Sequence, residues 1–171
     1  RRLVLSPWFQ DLWPVKLRSD QNTKHDFETE QGGSRYTTSP GGSLLGIGGD
    51  IIIFDDPHDT EKVESEVQRD TVLEHFAELS TTRLNDPEHS AIVGVMQRLH
   101  QLDVSGKILD EMSNGGEDWT HLMLPMEYER SRHCTTILKR NDDGEPVKIF
   151  DDPREYEGEL MWPERFNDAA V

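Results

Sequence analysis

The chain has 171 residues, enough for one medium-sized domain with a hydrophobic core. It carries 34 Asp and Glu against 18 Lys and Arg, a formal net charge of −16, so it repels phosphate backbones unless its few cations cluster. Its one cysteine, Cys134, excludes a disulfide framework, and no apolar run approaches the roughly 18 residues of a membrane span. The opening, RRLVLSPWFQ, has neither an initiator Met nor a signal peptide, and we therefore expect a fragment.

The first 55 residues predict a helix, a hairpin and a strand. Near-helical apolar spacing in RRLVLSPWFQDLWP predicts a helix with Pro7 in its first turn and Pro14 as its stop. KHDFETEQGGSRYTTS predicts a β-hairpin that turns at Gly32 and Gly33. The glycine-rich loop PGGSLLGIGGD then leads into the strand Ile51–Asp55.

A long helix and further strands follow. EKVESEVQRDTVLEHFAELSTTRL predicts a helix that Thr60 caps. Its expected apolar stripe consists of Val63, Val67, Leu73, Phe76, Ala77 and Leu79. AIVGVMQRLH predicts a strand over residues 91–96, QLDVSGKILDEM a short helix, and WTHLMLPM a strand over residues 119–124 that Pro125 ends.

This order of elements predicts an α/β fold with a mainly parallel sheet flanked by helices. Residues 51–54 and 91–96 are apolar at every position, which is typical of strands buried on both faces. The composition changes at residue 127, beyond which the chain is polar and non-periodic, with one turn expected at Asp143-Gly144. We therefore divide the chain into residues 1–126 and 127–171.

Two adjacent aspartates end the first apolar strand, in DIIIFDDPH. Ligands of parallel α/β sheets bind at the carboxyl ends of the strands. A carboxylate pair at such an end is the Walker B arrangement, in which one acid orders the Mg²⁺ shell and its neighbour orients the attacking water near the γ-phosphate. We assign Asp55 to the metal and Asp56 to the water. The alternative is a polar turn in which Pro57 restricts Asp56.

Three other features of the sequence bear on this assignment. The stretch IFDDPRE, residues 149–155, repeats FDDP but lacks the long apolar strand, and we expect it to be non-functional. Gln97, at the end of the next strand, is either a contact to the γ-phosphate and its water or a solvated strand end. Arg98 pairs either with phosphate or with a nearby carboxylate.

The seven histidines show neither His-x-x-x-His spacing nor a cysteine pair, so they predict no strong metal site. His58 is the exception to consider, because it stands beside Asp55, Asp56 and Asp59. Such a cluster would bind a metal locally, which leaves a metal-dependent nuclease as an alternative function.

Six stretches together resemble the large terminase subunit of tailed bacteriophages and prophages, the DNA-packaging motor. They occur in the family's order and span nearly the whole chain. The stretches are LVLSPWFQDLWP, DQNTKHDFETEQGGSRYTTSPGG, LLGIGGDIIIFDDPHD, TTRLNDPEHSAIVGVMQRLHQLDVSGKIL, WTHLMLPMEYE and ELMWPERF.

The resemblance implies part of an ATPase domain of the additional-strand P-loop class, which uses Mg²⁺ and ATP to translocate viral double-stranded DNA into procapsids. Asp55 falls on the Walker B metal residue, Asp56 on the catalytic acid, and Gln97 near the coupling motif. LMWPERF matches the hinge toward a nuclease domain. The implied partners are DNA, the portal protein, the small terminase subunit and further copies in a ring. The implied location is the host bacterial cytoplasm and, transiently, the procapsid portal, not the mature virion.

The chain departs from the family pattern in three respects. It contains no G-x-x-x-x-G-K-[ST], so we expect the Walker A loop upstream. It also lacks the family's carboxylate-rich nuclease domain, which we expect downstream. Ile47 stands where many relatives carry an arginine, which leaves Arg35 and Arg98 as candidate phosphate-binding cations. This chain alone is therefore predicted not to hydrolyse ATP. A non-catalytic scaffold or remnant is the remaining alternative.

Overall fold

The computed structural model describes residues 1–23, 25–42, 46–138 and 147–166. Two compact units are present, Arg1–Lys107 and Ile108–Val171. The change in composition at residue 127 lies inside the second unit, and the division at that residue stays a prediction. Among the residues that the structure describes, no helix is long and apolar enough to cross a membrane.

The first helix forms where the spacing of apolar residues predicts it. Helix α1, Pro7–Leu12, has Pro7 at its first position, where the missing N–H costs no hydrogen bond. Ser6 is its N-cap, because its hydroxyl accepts a hydrogen bond from the backbone N–H of Phe9 at 3.3 Å.

The predicted hairpin is also confirmed, but it is part of a larger sheet. Strands β1 (Leu17–Asn22), β2 (Phe27–Thr29) and β3 (Ser34–Arg35) form an antiparallel sheet in that order. The turn between β2 and β3 contains Gly32, whose φ of +91° is unfavourable for other residues. The sequence analysis missed β1, since LRSDQN has almost no apolar residues to signal a strand.

The parallel strand pair is confirmed. Strand β4, Ile51–Asp55, pairs in parallel with β5, Ala91–Val95, in a register that places Asp55 opposite Val95. Helix α2, Glu66–Thr82, lies between them in the chain and completes a β-α-β crossover. It covers β4 through Phe76, whose ring centroid is 4.7 Å from that of Phe54.

Two expectations about this region are wrong. Helix α2 begins after Ser65 rather than after Thr60, so Val63 precedes the helix, and Val67 on its first turn is exposed. The strands are not buried on both faces either: Ile51 is 64% exposed and Ile53 65% exposed. The reason is that only two strands pair, and α2 packs against one face through Phe54. Within the described residues, the fold is α/β with one small parallel sheet rather than a mainly parallel one.

The remaining elements begin with α3, Val104–Ser113, which confirms the predicted short helix. The boundary between the two compact units falls inside it. In the second unit, β6 (Thr135–Leu138) and β7 (Val147–Asp151) pair antiparallel, a hairpin that the sequence analysis missed. The strand predicted over residues 119–124 is wrong, because that segment forms no β-ladder and is irregular. The turn predicted at Asp143-Gly144 lies outside the described residues.

Candidate functional site

The carboxyl ends of β4 and β5 bring Asp56 and Gln97 together. The backbone N–H of Gln97 donates a hydrogen bond to Oδ1 of Asp56 at 3.1 Å. One step earlier, the backbone N–H of Asp56 donates to the carbonyl oxygen of Val95 at 2.9 Å. Hydrogen bonding between the two segments therefore continues past the last strand residues through the Asp56 side chain. Asp56 and Gln97, two of the predicted site residues, are in direct contact.

The backbone at Asp56 has an unusual conformation. Asp56 has a φ of 42°, and among the described residues it is the one non-glycine residue with a positive φ. Such a conformation costs an L-residue about 1–3 kcal/mol, although aspartate tolerates it better than most. The following Pro57 adds a further steric restriction. The two hydrogen bonds to β5 hold this strained residue in place, with its side chain turned toward Gln97.

Asp55 occupies a different position at the same strand end. It is exposed, and within the described part of the chain its carboxylate has no hydrogen-bond or ion-pair partner. It lines a cavity of about 850 Å³ together with Arg35 and Ile47. Arg35 uses one guanidinium nitrogen, Nη1, to donate to the carbonyl oxygen of His25 at 2.9 Å. The structure thus brings Asp55 and Arg35 to one cavity, with the Asp55 carboxylate free to bind a ligand.

Arg98 is engaged with another part of the chain. Its Nε lies 3.4 Å from Oδ1 of Asp103, and its Nη2 donates to the carbonyl oxygen of Gln101 at 3.0 Å. Of the two alternatives left open for Arg98, the carboxylate pair is the one that the structure contains. Its predicted role toward phosphate is unsupported by this geometry and stays a prediction.

Asp103 is a structural residue that the sequence analysis missed. It is almost fully buried before the first turn of α3, where it caps the helix. Its Oδ1 accepts from the N–H of Gly106 at 2.8 Å, and its Oδ2 accepts from the N–H groups of Leu99 and His100 at 2.9 and 3.1 Å. The signal was present in QLDVSGKIL, since an aspartate one residue before a helix is a preferred N-cap.

His58 does not join the aspartates as a metal ligand would. It is buried, and its Nε2 accepts a hydrogen bond from the backbone N–H of Val104 at 3.0 Å. Burial lowers the pKa of the imidazole below its ordinary value, and the positive charge of Arg69 acts in the same direction, against the raising effect of Asp103. The ring is therefore neutral near pH 7, and it joins the segment after Asp56 to the start of α3.

The second FDDP lies at the end of β7, where its second aspartate forms a buried ion pair. Asp152 is buried and pairs with Arg154, whose Nη2 is 2.7 Å from Oδ2 of Asp152. The guanidinium of Arg154 also donates to the carbonyl oxygens of Met126 and Glu159 and lies over the ring of Tyr128, 5.5 Å from its centroid. This charge pair holds the second unit together internally.

The described residues contain no group of three or more His, Cys, Asp or Glu side chains arranged to hold a metal ion. A single free carboxylate at a strand end nevertheless fits Mg²⁺, which binds proteins through one or two carboxylates and takes its other ligands from water and phosphate. Asp55 meets that requirement. In comparisons with known proteins, no family model matches the chain, and neither the curated proteins nor the solved structures include a match.

Proposed function

We propose that this chain forms the Walker B half of an ATP site in a DNA-packaging motor of the large terminase subunit class. The observation that supports it most directly is the Gln97–Asp56 hydrogen bond at the carboxyl ends of two parallel strands. A crossover through α2 connects these strands, as the P-loop ATPase arrangement requires. The finer fold assignment, an additional-strand P-loop core without its Walker A segment, belongs to this proposal.

Each residue at the strand ends has a distinct role in the proposal. Asp55, which has no partner among the described residues, would hold Mg²⁺ through its shell of water; the ion neutralises charge on the β- and γ-phosphates. Asp56 has one oxygen fixed by Gln97, which leaves Oδ2 to accept a hydrogen bond from the attacking water. In this proposal the Gln97 side chain, next to the same junction, would contact the γ-phosphate.

Arg35 and Arg98 differ as phosphate-binding groups. Arg35 lines the cavity that Asp55 also lines, and only one of its five N–H donors is used within the described residues. Arg98 is paired with Asp103, so recruiting it for phosphate would break that contact. Of the two arginines, Arg35 is therefore the better candidate for neutralising charge in the nucleotide.

The proposed motor couples this site to DNA. By the same resemblance, the whole protein would translocate viral double-stranded DNA with a portal protein, a small terminase subunit and further copies of itself. The net charge of −16 disfavours direct DNA contact by most of this chain's surface. The proposal therefore assigns this chain to ATP hydrolysis and leaves the principal DNA contacts to other parts of the motor.

The test is phosphate release from Mg²⁺-ATP by two proteins: this chain alone, and the chain joined to an upstream segment carrying G-x-x-x-x-G-K-[ST]. The joined protein should turn over ATP, while the chain alone should not, because its sequence has no G-x-x-x-x-G-K-[ST] loop to position the phosphates. Turnover by the chain alone would contradict the assignment. So would a joined protein that binds ATP but never hydrolyses it, an outcome that favours the non-catalytic scaffold.

A further inference from the structure

A second cavity, of about 310 Å³, lies beside the segment that follows Asp56. Its walls come from three parts of the first unit: residues 39–40, residues 57–63 and the start of α2. It shares Ser39, Pro40, Pro57 and Val72 with the cavity that Asp55 lines, so the two are neighbours. Its lining includes Lys62 and Arg69 against one carboxylate, Asp59, a cationic balance that is unusual in a chain of net charge −16.

Arg69, on the first turn of α2, is the main charged group in this wall. It is only 8% exposed, yet no carboxylate among the described residues forms an ion pair with it. Its Nη1 donates to the carbonyl oxygen of Val63 at 2.7 Å, which uses one of five N–H donors. A buried charge without a counter-ion is costly. The guanidinium of Arg69 therefore has N–H donors and a charge that an anion would satisfy.

His58 contributes a second buried donor to the same wall. It is 8% exposed, and its Nε2 is the acceptor for the Val104 N–H. A neutral imidazole with an accepting Nε2 carries its proton on Nδ1, and that N–H has no partner among the described residues. Among the described side chains, three polar atoms are buried from solvent and have no hydrogen-bond partner: Asn22 Oδ1, Ser80 Oγ and Arg83 Nε. No atom of His58 or Arg69 is among them. The free donors of His58 and Arg69 therefore face accessible space, which the cavity provides.

Two exposed residues of the cavity lining, Ser39 and Asp59, differ in what they offer a ligand. The Ser39 hydroxyl adds a donor at the mouth of the cavity. The one carboxylate in the lining, Asp59, is occupied: its Oδ2 lies 3.1 Å from Nζ of Lys62, and its Oδ1 accepts from the N–H of Glu61. These two contacts lower the pKa of Asp59. Its carboxylate is paired with Lys62 and forms no ion pair with Arg69.

We propose that this cavity is a binding site for a phosphate group, held by Arg69 and His58 at its base and by Ser39 at its rim. A tetrahedral oxyanion accepts hydrogen bonds on every side, which matches a wall that offers donors and no free carboxylate. The volume exceeds that of inorganic phosphate, so a phosphomonoester also fits. The site is separate from Asp55 and Asp56 and does not depend on ATP hydrolysis.

The experiment is a titration of this chain, at constant ionic strength, with inorganic phosphate and in parallel with a nucleoside monophosphate. Binding is followed by calorimetry and by NMR of the Arg69 Nε–H and the His58 ring. We expect saturable one-to-one binding with a Kd of about 1 mM, typical of a small ligand with few contacts. Tighter binding of the monophosphate would indicate that the site binds the phosphate group of a larger ligand. Equal binding would indicate that the site binds the free ion.

Variants decide whether Arg69 carries the binding. Arg69→Gln should weaken the Kd about tenfold or more, as expected from loss of charge-assisted hydrogen bonds. Arg83→Gln, which alters the residue directly after the same helix and lies outside this cavity, should leave the Kd unchanged. Because Arg69→Gln removes a buried hydrogen bond and so lowers stability, Ser39→Asp provides a second arm: it alters only an exposed rim residue and places a carboxylate in the same cavity lining as Arg69. A folded Ser39→Asp protein that binds phosphate as well as the parent would overturn the proposal, as would no saturable binding by the parent.

Discussion

The backbone N–H of Gln97 donates to Oδ1 of Asp56 at 3.1 Å, and this bond joins the ends of β4 and β5. The N–H of Asp56 also donates to the carbonyl oxygen of Val95, so two hydrogen bonds to this segment hold its strained backbone. A displacement of Gln97 must therefore move the carboxylate of Asp56. In a nucleotide hydrolase, such a junction would transmit the state of the γ-phosphate to the group that orients the water.

Asp56→Asn is the sharpest test of the proposed chemistry. Asparagine keeps an Oδ1 acceptor for the Gln97 N–H and tolerates a positive φ, so the fold should be unchanged. It cannot act as a base, and turnover in a protein that includes a Walker A loop should fall by orders of magnitude with nucleotide binding nearly intact. Phosphate release and nucleotide affinity are measured together. Asp55→Ala is the comparison, since it should also weaken binding of Mg²⁺-nucleotide, and an active Asp56→Asn protein would refute the assignment.

The repeated FDDP supplies a matched control within the same chain. Asp152→Asn leaves the charge of Arg154 buried without its partner, and the free energy of unfolding should fall by about 3 kcal/mol. In the protein joined to a Walker A segment, ATP turnover by the molecules that remain folded should be unchanged. Urea denaturation and phosphate release at equal folded concentration separate the two effects. The reverse pattern, loss of turnover without loss of stability, would mean that the second copy has the functional role.

His58 makes stability depend on pH in a defined direction. Because its folded pKa lies below the ordinary value of about 6.5, the unfolded chain binds a proton first as pH falls. The contribution of His58 is full above that value and is lost as pH drops from about 6.5 toward the folded pKa. His58→Gln retains an acceptor for the Val104 N–H but does not titrate. Urea midpoints at pH 7.5 and 5.5 should therefore differ less in the variant than in the parent, and equal differences would be evidence against this role.

Gly106 allows α3 to approach the segment after β5. A Cβ at this position would lie 2.0 Å from the carbonyl oxygen of Gln101 and 2.8 Å from Nη2 of Arg98. Since the closer obstacle is backbone, Gly106→Ala must displace residues 97–103, and we expect a loss of about 1–3 kcal/mol. The neighbouring Ser105→Ala should change stability little. Thermal denaturation measures both, and a fully stable Gly106→Ala protein would show that the loop adapts freely.

The exposed apolar face of the β4–β5 pair should promote self-association. Ile51 and Ile53 on β4 and Val93 and Val95 on β5 are all exposed, and no third strand pairs with either strand in the described chain. Such surfaces attract other chains. Sedimentation at rising concentration should reveal oligomers, and Ile53→Lys should shift them toward monomer. A parent chain that remains strictly monomeric would contradict this expectation.

Local signals in the sequence determined α1, the β2–β3 hairpin, the parallel pair and the start of α3. They include Pro7 after a capping Ser6, glycine at a turn that needs a positive φ, and apolar runs separated by a helix. The helix and turn signals depend on near neighbours, and the parallel pairing follows from a strand–helix–strand order, so a pattern of residues is sufficient to find them. The position of the Asp55-Asp56 pair at a carboxyl strand end belongs to the same class.

The partners of the polar side chains were decided only by the tertiary structure. Nothing in the spacing indicated that His58 would accept from Val104, which carboxylate would pair with Arg98, or that Arg69 would be buried without a carboxylate partner among the described residues. β1 and the β6–β7 hairpin were missed for a related reason, since their strands are held by partners rather than by apolar alternation. Hydrogen bonds and ion pairs between distant segments depend on how the chain brings them together, and a local pattern carries no information about that.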